Sequence, residues 1–238
     1  MHILQKIKKK FKKRKNSELN YDIHERLITA IFLSIVGGML DAHTFLFRGK
    51  IFANTQTGNI VFLALSVSNQ NFSKTLNYIF SLIAFIIGIF LTEILKHFFK
   101  NKILMFVNIV ILIEILFLAL LAFFPENFLN NVVISIISFV CSMQTNGFRT
   151  VHGSLYASTM CTGNLRSASA NFLNFVLLKN KQQGLVCLRY VIILFAFFVG
   201  VVLGCFLTRI FCQFALLFCA SVLFFNLIVI NLKHVSCS

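Results

Sequence analysis

Two short polar stretches interrupt otherwise apolar sequence, Phe52-Ala53-Asn54-Thr55-Gln56-Thr57-Gly58-Asn59-Ile60 and Tyr156-Ala157-Ser158-Thr159-Met160-Cys161-Thr162-Gly163-Asn164-Leu165. Glycine permits a backbone turn or a close approach that a side chain would block, while Thr and Asn supply a hydroxyl, an amide and free backbone groups. Two such breaks facing each other can coordinate a small polar solute or an ion. The same residues can instead cap helices and pack them closely. A membrane interior offers backbone groups no water, so a break survives there only when it is buried in protein or lines a cavity.

Several ionisable and amide residues stand near these breaks or deep in apolar runs. Asp41 lies about four helical turns into the first run, where an acid costs roughly 2.5–3.5 kcal/mol unless shielded, so it is expected to face the interior. Glu114 lies in the middle of another run and is the second candidate for ion coupling. Arg149 and Arg166 flank the second break; Arg149 is expected to snorkel to lipid phosphate, and Arg166, two residues beyond Asn164, is the better site residue. The expected binding set is Asp41, Thr57, Gly58, Asn59, Gln144, Asn146, Thr162, Gly163, Asn164 and Arg166. Asn146 occupies the position equivalent to Asp41, giving one acid and one amide and hence a single titratable group in a matched pair, which suits proton or cation coupling.

Catalysis and metal chemistry have less to work with. His43 is about 200° around a helix from Asp41, so the two cannot share a face, and no metal or cofactor is expected. A nucleophile and base would have to come from Asp41, His43, His152 and Cys161, which no hydrolase, protease or phosphotransferase motif joins. No catalytic residue is assigned. The seven cysteines fall mostly inside apolar runs without a Cys-x-x-Cys pair and read as small hydrophobes.

The elements that must position these residues are membrane helices. The chain has 238 residues, 58% hydrophobic with a mean hydropathy of +0.86, and only 12% charged. Its apolar runs approach the ~20 residues that cross a bilayer and leave no room for a separate soluble domain. The net charge of +15 sits in the amino-terminal segment and short loops, the pattern of cytoplasmic positive charge rather than of nucleic-acid binding. Residues 1–20 read as a basic, amphipathic cytoplasmic segment suited to anionic lipid, and residues 21–238 as one membrane domain. An eventual oligomeric state is not legible.

The runs repeat. Gly58 aligns with Gly163, Ala84-Phe85-x-x-Gly88 with Ala196-Phe197-x-x-Gly200, and Phe90-Leu91-Thr92-Glu93 with Phe206-Leu207-Thr208-Arg209. Repeat one covers about residues 27–124 and repeat two about 131–232. The expected fold class is all-α, a polytopic helical membrane protein with two internal repeats. If each break dips in and returns, there are six spans in inverted halves, and the Lys96, Lys100 and Lys102 cluster is cytoplasmic. If each break crosses, there are eight spans in parallel halves, and those lysines lie outside. The charges favour six, but both arrangements stay open. Pro125-Glu126-Asn127 is the expected turn between the halves.

Gly38-Met39-Leu40-Asp41-Ala42, Phe52, Thr57-Gly58-Asn59, Gln144 and the second Thr162-Gly163-Asn164 together resemble the YoaK family of bacterial membrane proteins, over nearly the whole chain from the first span onward. The resemblance implies a multi-pass protein of the bacterial cytoplasmic (inner) membrane, of unknown function, and no reaction. The expected function, from the repeats and interior acids, is a secondary transporter or permease of a small polar solute or ion. An intramembrane enzyme and a non-transporting scaffold or sensor are the alternatives.

Overall fold

The computed structural model describes residues 25–125 and 130–235. The basic segment 1–20, with its expected lipid contact, lies outside them, as do Glu126 and Asn127 of the expected turn and Cys237. The order is α1 (Leu27–Phe47), α2 (Gln56–Ser68), α3 (Phe72–Phe98), α4 (Ile103–Leu121), α5 (Asn130–Gly147), a hairpin of β1 (Thr150–Val151) and β2 (Ser154–Leu155), α6 (Cys161–Leu178), α7 (Lys181–Phe211), a 3-10 turn (Cys212–Phe214) and α8 (Ala215–Val235). The helical class is as expected. The hairpin is an addition to it, made by residues around Gly153, whose φ of 72° a side chain would disfavour.

The motif stretches are not continuous helices. Residues 51–55 and 156–160 are extended or turning, and only then do α2 and α6 begin. At 13 residues α2 is about 20 Å long, well short of a ~30 Å hydrocarbon layer. Leu27–Phe47, Phe72–Phe98, Ile103–Leu121 and the Lys181–Leu232 stretch are long and apolar enough to cross a membrane. The surface agrees: Phe72, Phe90, Phe98, Phe198, Phe206, Leu177 and Leu178 are all exposed. An apolar exterior of that extent suits lipid. This is a membrane protein.

The interior is built from α1 and α5, each packed in parallel against a helix of the other half. Along α1 and α7, Gly200 meets Ile35 and Gly204 meets Met39, with backbones in near contact. Along α3 and α5, Ser81 bonds Ser138 at 2.8 Å, Gly88 meets Phe139 and Ser142, and Asn146 donates to Glu93 at 2.8 Å. Close approach without a hydrophobic drive between helices calls for small residues at the crossing, which is where these glycines stand. α4 and α8 run antiparallel, with Asn108 bonded to Asn231 at 3.0 Å near one end and the Phe123 and Phe214 rings 6.2 Å apart at the other.

Two latches fix the ends. Arg48, just past α1, is fully buried and donates to the carbonyls of Phe124 (2.6 Å) and Pro125 (2.9 Å) and to Asn130 Oδ1 (3.1 Å). The sequence reading treated it as an outer-loop charge; in the structure it joins the end of α1 to the end of α4 and the start of α5, satisfying carbonyls that no helix bond reaches. At the opposite end of α1, the Leu27 amide donates to His152 Nε2 (3.2 Å), and the His152 amide donates to the Glu25 carbonyl (2.9 Å). Arg48→Ala is expected to lower the melting temperature in detergent, costing roughly 1–3 kcal/mol for each carbonyl left unmet. Arg48→Lys should recover part of that, and an unchanged melt for Arg48→Ala would refute the latch.

Candidate functional site

After α1 ends, the chain turns at Gly49 and Lys50 and comes back alongside the helix it has just left. Asp41 is what holds it there. One carboxylate oxygen accepts from the Asn54 amide (2.7 Å) and the other from Thr55 Oγ1 (2.6 Å), and the Ala53 and Thr55 amides turn toward the same carboxylate. Asn54 Nδ2 donates to the Gly37 carbonyl at 3.3 Å, one turn deeper. Thus the first break reaches the middle of α1.

Asn59 closes this loop: its Oδ1 accepts from the Phe52 amide (2.9 Å), and its Nδ2 donates to the Phe52 carbonyl (2.7 Å) and Gln56 Oε1 (2.9 Å). Asn164 does the same to Ala157, accepting at 3.3 Å and donating at 2.6 Å. In both breaks a helix-borne Asn clamps the backbone of the residue seven positions earlier. A side-chain amide suits the task because it carries both a donor and an acceptor.

The second break is held differently. Gln144 Nε2 donates to Ser158 Oγ (3.0 Å) and to the Leu33 carbonyl (3.1 Å), and Thr145 Oγ1 lies 3.3 Å from Thr159 Oγ1. Asn146 points to α3 instead, where it meets Glu93. Asp41 and Asn146 therefore share a helix position but not a role.

The two breaks meet at Gly37. A Cβ there would overlap the Thr159 methyl group and come to 3.8 Å from Asn54 Nδ2. Asn54 belongs to the first break and Thr159 to the second, and both are buried. Asn54 Oδ1 and Gln144 Oε1 are buried without a hydrogen-bond partner. Two open acceptors beside a carboxylate are groups a donor or a cation can use.

The expected site residues thus divide. Asp41, Asn59, Gln144 and Asn164 are buried and engaged as described. Thr57, Thr162, Gly163 and Arg166 are exposed and Gly58 is half-buried, so within each Thr-Gly-Asn only the Asn turns inward. Glu114 is fully buried in α4 with both oxygens unpartnered, and Cys141 lies within electrostatic reach of both it and Asp41. His43 pairs with Thr208 Oγ1 at 3.2 Å, and His152 sits at the far end of α1, so these two do not converge with Asp41 and Cys161 on one point. The sequence reading missed Asn54, Thr55, Ser158 and Thr159. The available signal was their place one turn before each aligned glycine, where small polar side chains repeat.

A cavity of about 490 Å3 lies beside the second break, lined by α3, α5, the hairpin and the start of α6. Thr145, Asn146, Arg149, Tyr156, Gly163 and Asn164 face it together with Phe85, Ile89, Leu155 and Met160.

The fold and site define a helical membrane protein with two clamped breaks meeting inside the bundle. Residues 29–230 match the model of the family described as protein of unknown function DUF1275, and the chain belongs to that family. No curated protein and no solved structure matches it.

Proposed function

We propose that the protein is a secondary transporter of a small polar solute or ion whose site lies between the two breaks. The observation that carries this reading is the meeting of Asn54 and Thr159 at Gly37, with Asp41 fastened to the first break. Discontinuous helices that join near the bilayer midplane are how transporters expose backbone and side-chain groups to a solute. A scaffold would need the glycine crossings but not a buried acid and open acceptors at the same point.

The same reading takes the chain as six spans in two inverted halves, with the breaks entering from opposite faces. It is supported by the return of residues 51–55 along α1 and by the parallel pairing of α1 with α7 and of α3 with α5. The resemblance to the YoaK family supports a bacterial inner membrane, and the charge pattern a cytoplasmic amino terminus. The α3–α4 loop then lies on the cytoplasmic side, as does the hairpin, which bonds Glu25 and Leu27. An Asn101→Cys variant should resist an impermeant thiol reagent in intact cells beyond the background of the parent chain and react after permeabilisation; labelling in intact cells would favour eight spans.

Uptake into proteoliposomes, screened across amino acids, organic acids, polyols, nucleosides and inorganic ions, tests the function directly. Accumulation of one class above protein-free liposomes is the expected result. Equal accumulation for every class, with the protein shown to be folded and reconstituted, removes the transport reading.

A further inference from the structure

The two halves differ in what meets the backbone at the break. In the first, α1 supplies a carboxylate, Asp41, to the amides of Ala53, Asn54 and Thr55 just ahead of α2. In the second, the position equivalent to Asp41 is Asn146, whose amide donates to Glu93 on α3, and α6 begins at Met160 without any side-chain cap. The first N–H groups of a helix have no partner inside it, and the dipole favours negative charge there. Beside that uncapped end lies the 490 Å3 cavity, and it holds a second sign of a missing partner. Tyr156 lines it, is only 6% exposed, and its hydroxyl has no hydrogen-bond partner.

We propose that this cavity binds a small carboxylate from solution, which takes the place in the second half that Asp41 takes in the first. The ligand's carboxylate accepts from the first-turn amides of α6 and from the Tyr156 hydroxyl, while the exposed Arg149 at the cavity wall supplies positive charge. Glu93, the acid close by, opposes an anion, but it is paired with Lys96 at 2.9 Å, so Lys96 and Arg149 together outnumber it. Phe85, Ile89, Leu155 and Met160 make the remaining wall apolar and call for a short hydrocarbon or aromatic body on the ligand. Gly163 keeps the space open, since a Cβ on it would meet nothing within 4 Å. This names a substrate class for the transporter proposed above and rests on that reading only in calling the ligand a substrate.

Equilibrium binding to the full purified chain in detergent tests it, with radiolabelled benzoate as probe, benzamide as its neutral isostere and benzylamine as its cationic one. Benzoate is expected to bind saturably and about tenfold or more tighter than benzamide, the loss that follows when a charge-assisted hydrogen bond is replaced by a neutral one. Benzylamine should not compete. Gly163→Leu fills the cavity and should abolish benzoate binding while the melting temperature holds, and Tyr156→Phe should weaken it several-fold. Equal affinity for benzamide, competition by benzylamine, absence of saturable benzoate binding, or full benzoate binding by Gly163→Leu would each overturn the proposal. The transport reading fails separately. Benzoate binding with no uptake of any solute keeps the carboxylate site and removes the transporter, whereas uptake of a cation without benzoate binding does the reverse.

Discussion

Asp41→Asn is expected to leave the chain inserted and folded, yet to reduce solute uptake to that of protein-free liposomes or erase its dependence on pH. The geometry makes this variant informative. An Asn at position 41 can still accept from the Asn54 amide through its oxygen, and its Nδ2 can donate to Thr55 Oγ1, because a hydroxyl can serve as acceptor as well as donor. What disappears is the proton site alone. Asp41→Ala removes both contacts, leaving a buried amide and hydroxyl unmet at roughly 1–3 kcal/mol each, so that variant should melt earlier. An acid inside an apolar span is costly, and anchoring the break needs only an acceptor, which Asn would supply. Normal uptake by Asp41→Asn with an unchanged pH profile would leave Asp41 as an anchor and nothing more. The reciprocal Asn146→Asp should not restore coupling to Asp41→Asn, since it sets a second carboxylate against Glu93 rather than against the break.

The class of protein and the two breaks were legible because both are written in composition. Long apolar runs announce helices that meet lipid, and a glycine flanked by Thr and Asn stands out inside them. Asp41 was legible by its cost. The division of labour within each break was not. Thr57, Gly58 and Asn59 look like one unit in sequence, but once α2 starts at Gln56 a helix sends successive side chains about 100° apart, so Asn59 turns inward while Thr57 faces out. The binding surface moved to Asn54 and Thr159, in extended chain that no helical periodicity marks. Arg48 was missed for a related reason: a cation just past an apolar run reads as a loop charge until the carbonyls of Phe124 and Pro125, far along the chain, are found against it. The unequal partners of Asp41 and Asn146 depend on Glu93 of α3, a contact across the repeat boundary that alignment of the halves cannot supply.

Gly200→Leu should be the most destructive single change to the fold. A Cβ at Gly200 would lie 2.8 Å from both Ile35 Cα and Ile35 C, and one at Gly204 would lie 2.6 Å from Met39 Cα, so the obstacles are backbone atoms that cannot rotate aside. α1 and α7 would have to separate, and overpacking of this kind typically costs about 1–3 kcal/mol for a small addition and more for a large one. Gly200→Ala is therefore expected to fold with a lowered melting temperature, and Gly200→Leu to fail to yield a monodisperse protein. The matching change at Gly163 supplies the contrast, because nothing lies within 4 Å of a Cβ there and Ala favours a helix over Gly by about 1 kcal/mol; Gly163→Ala should melt no lower than the parent. Function should follow the same crossing. α1 carries Gly37 and Asp41, so a shift of α1 away from α7 also moves the point where Asn54 and Thr159 meet, and Gly200→Ala should lose uptake well below its melting temperature. If Gly200→Leu is instead as stable as the parent chain, the helices do not cross at this distance and the meeting of the two breaks inside the bundle goes with it.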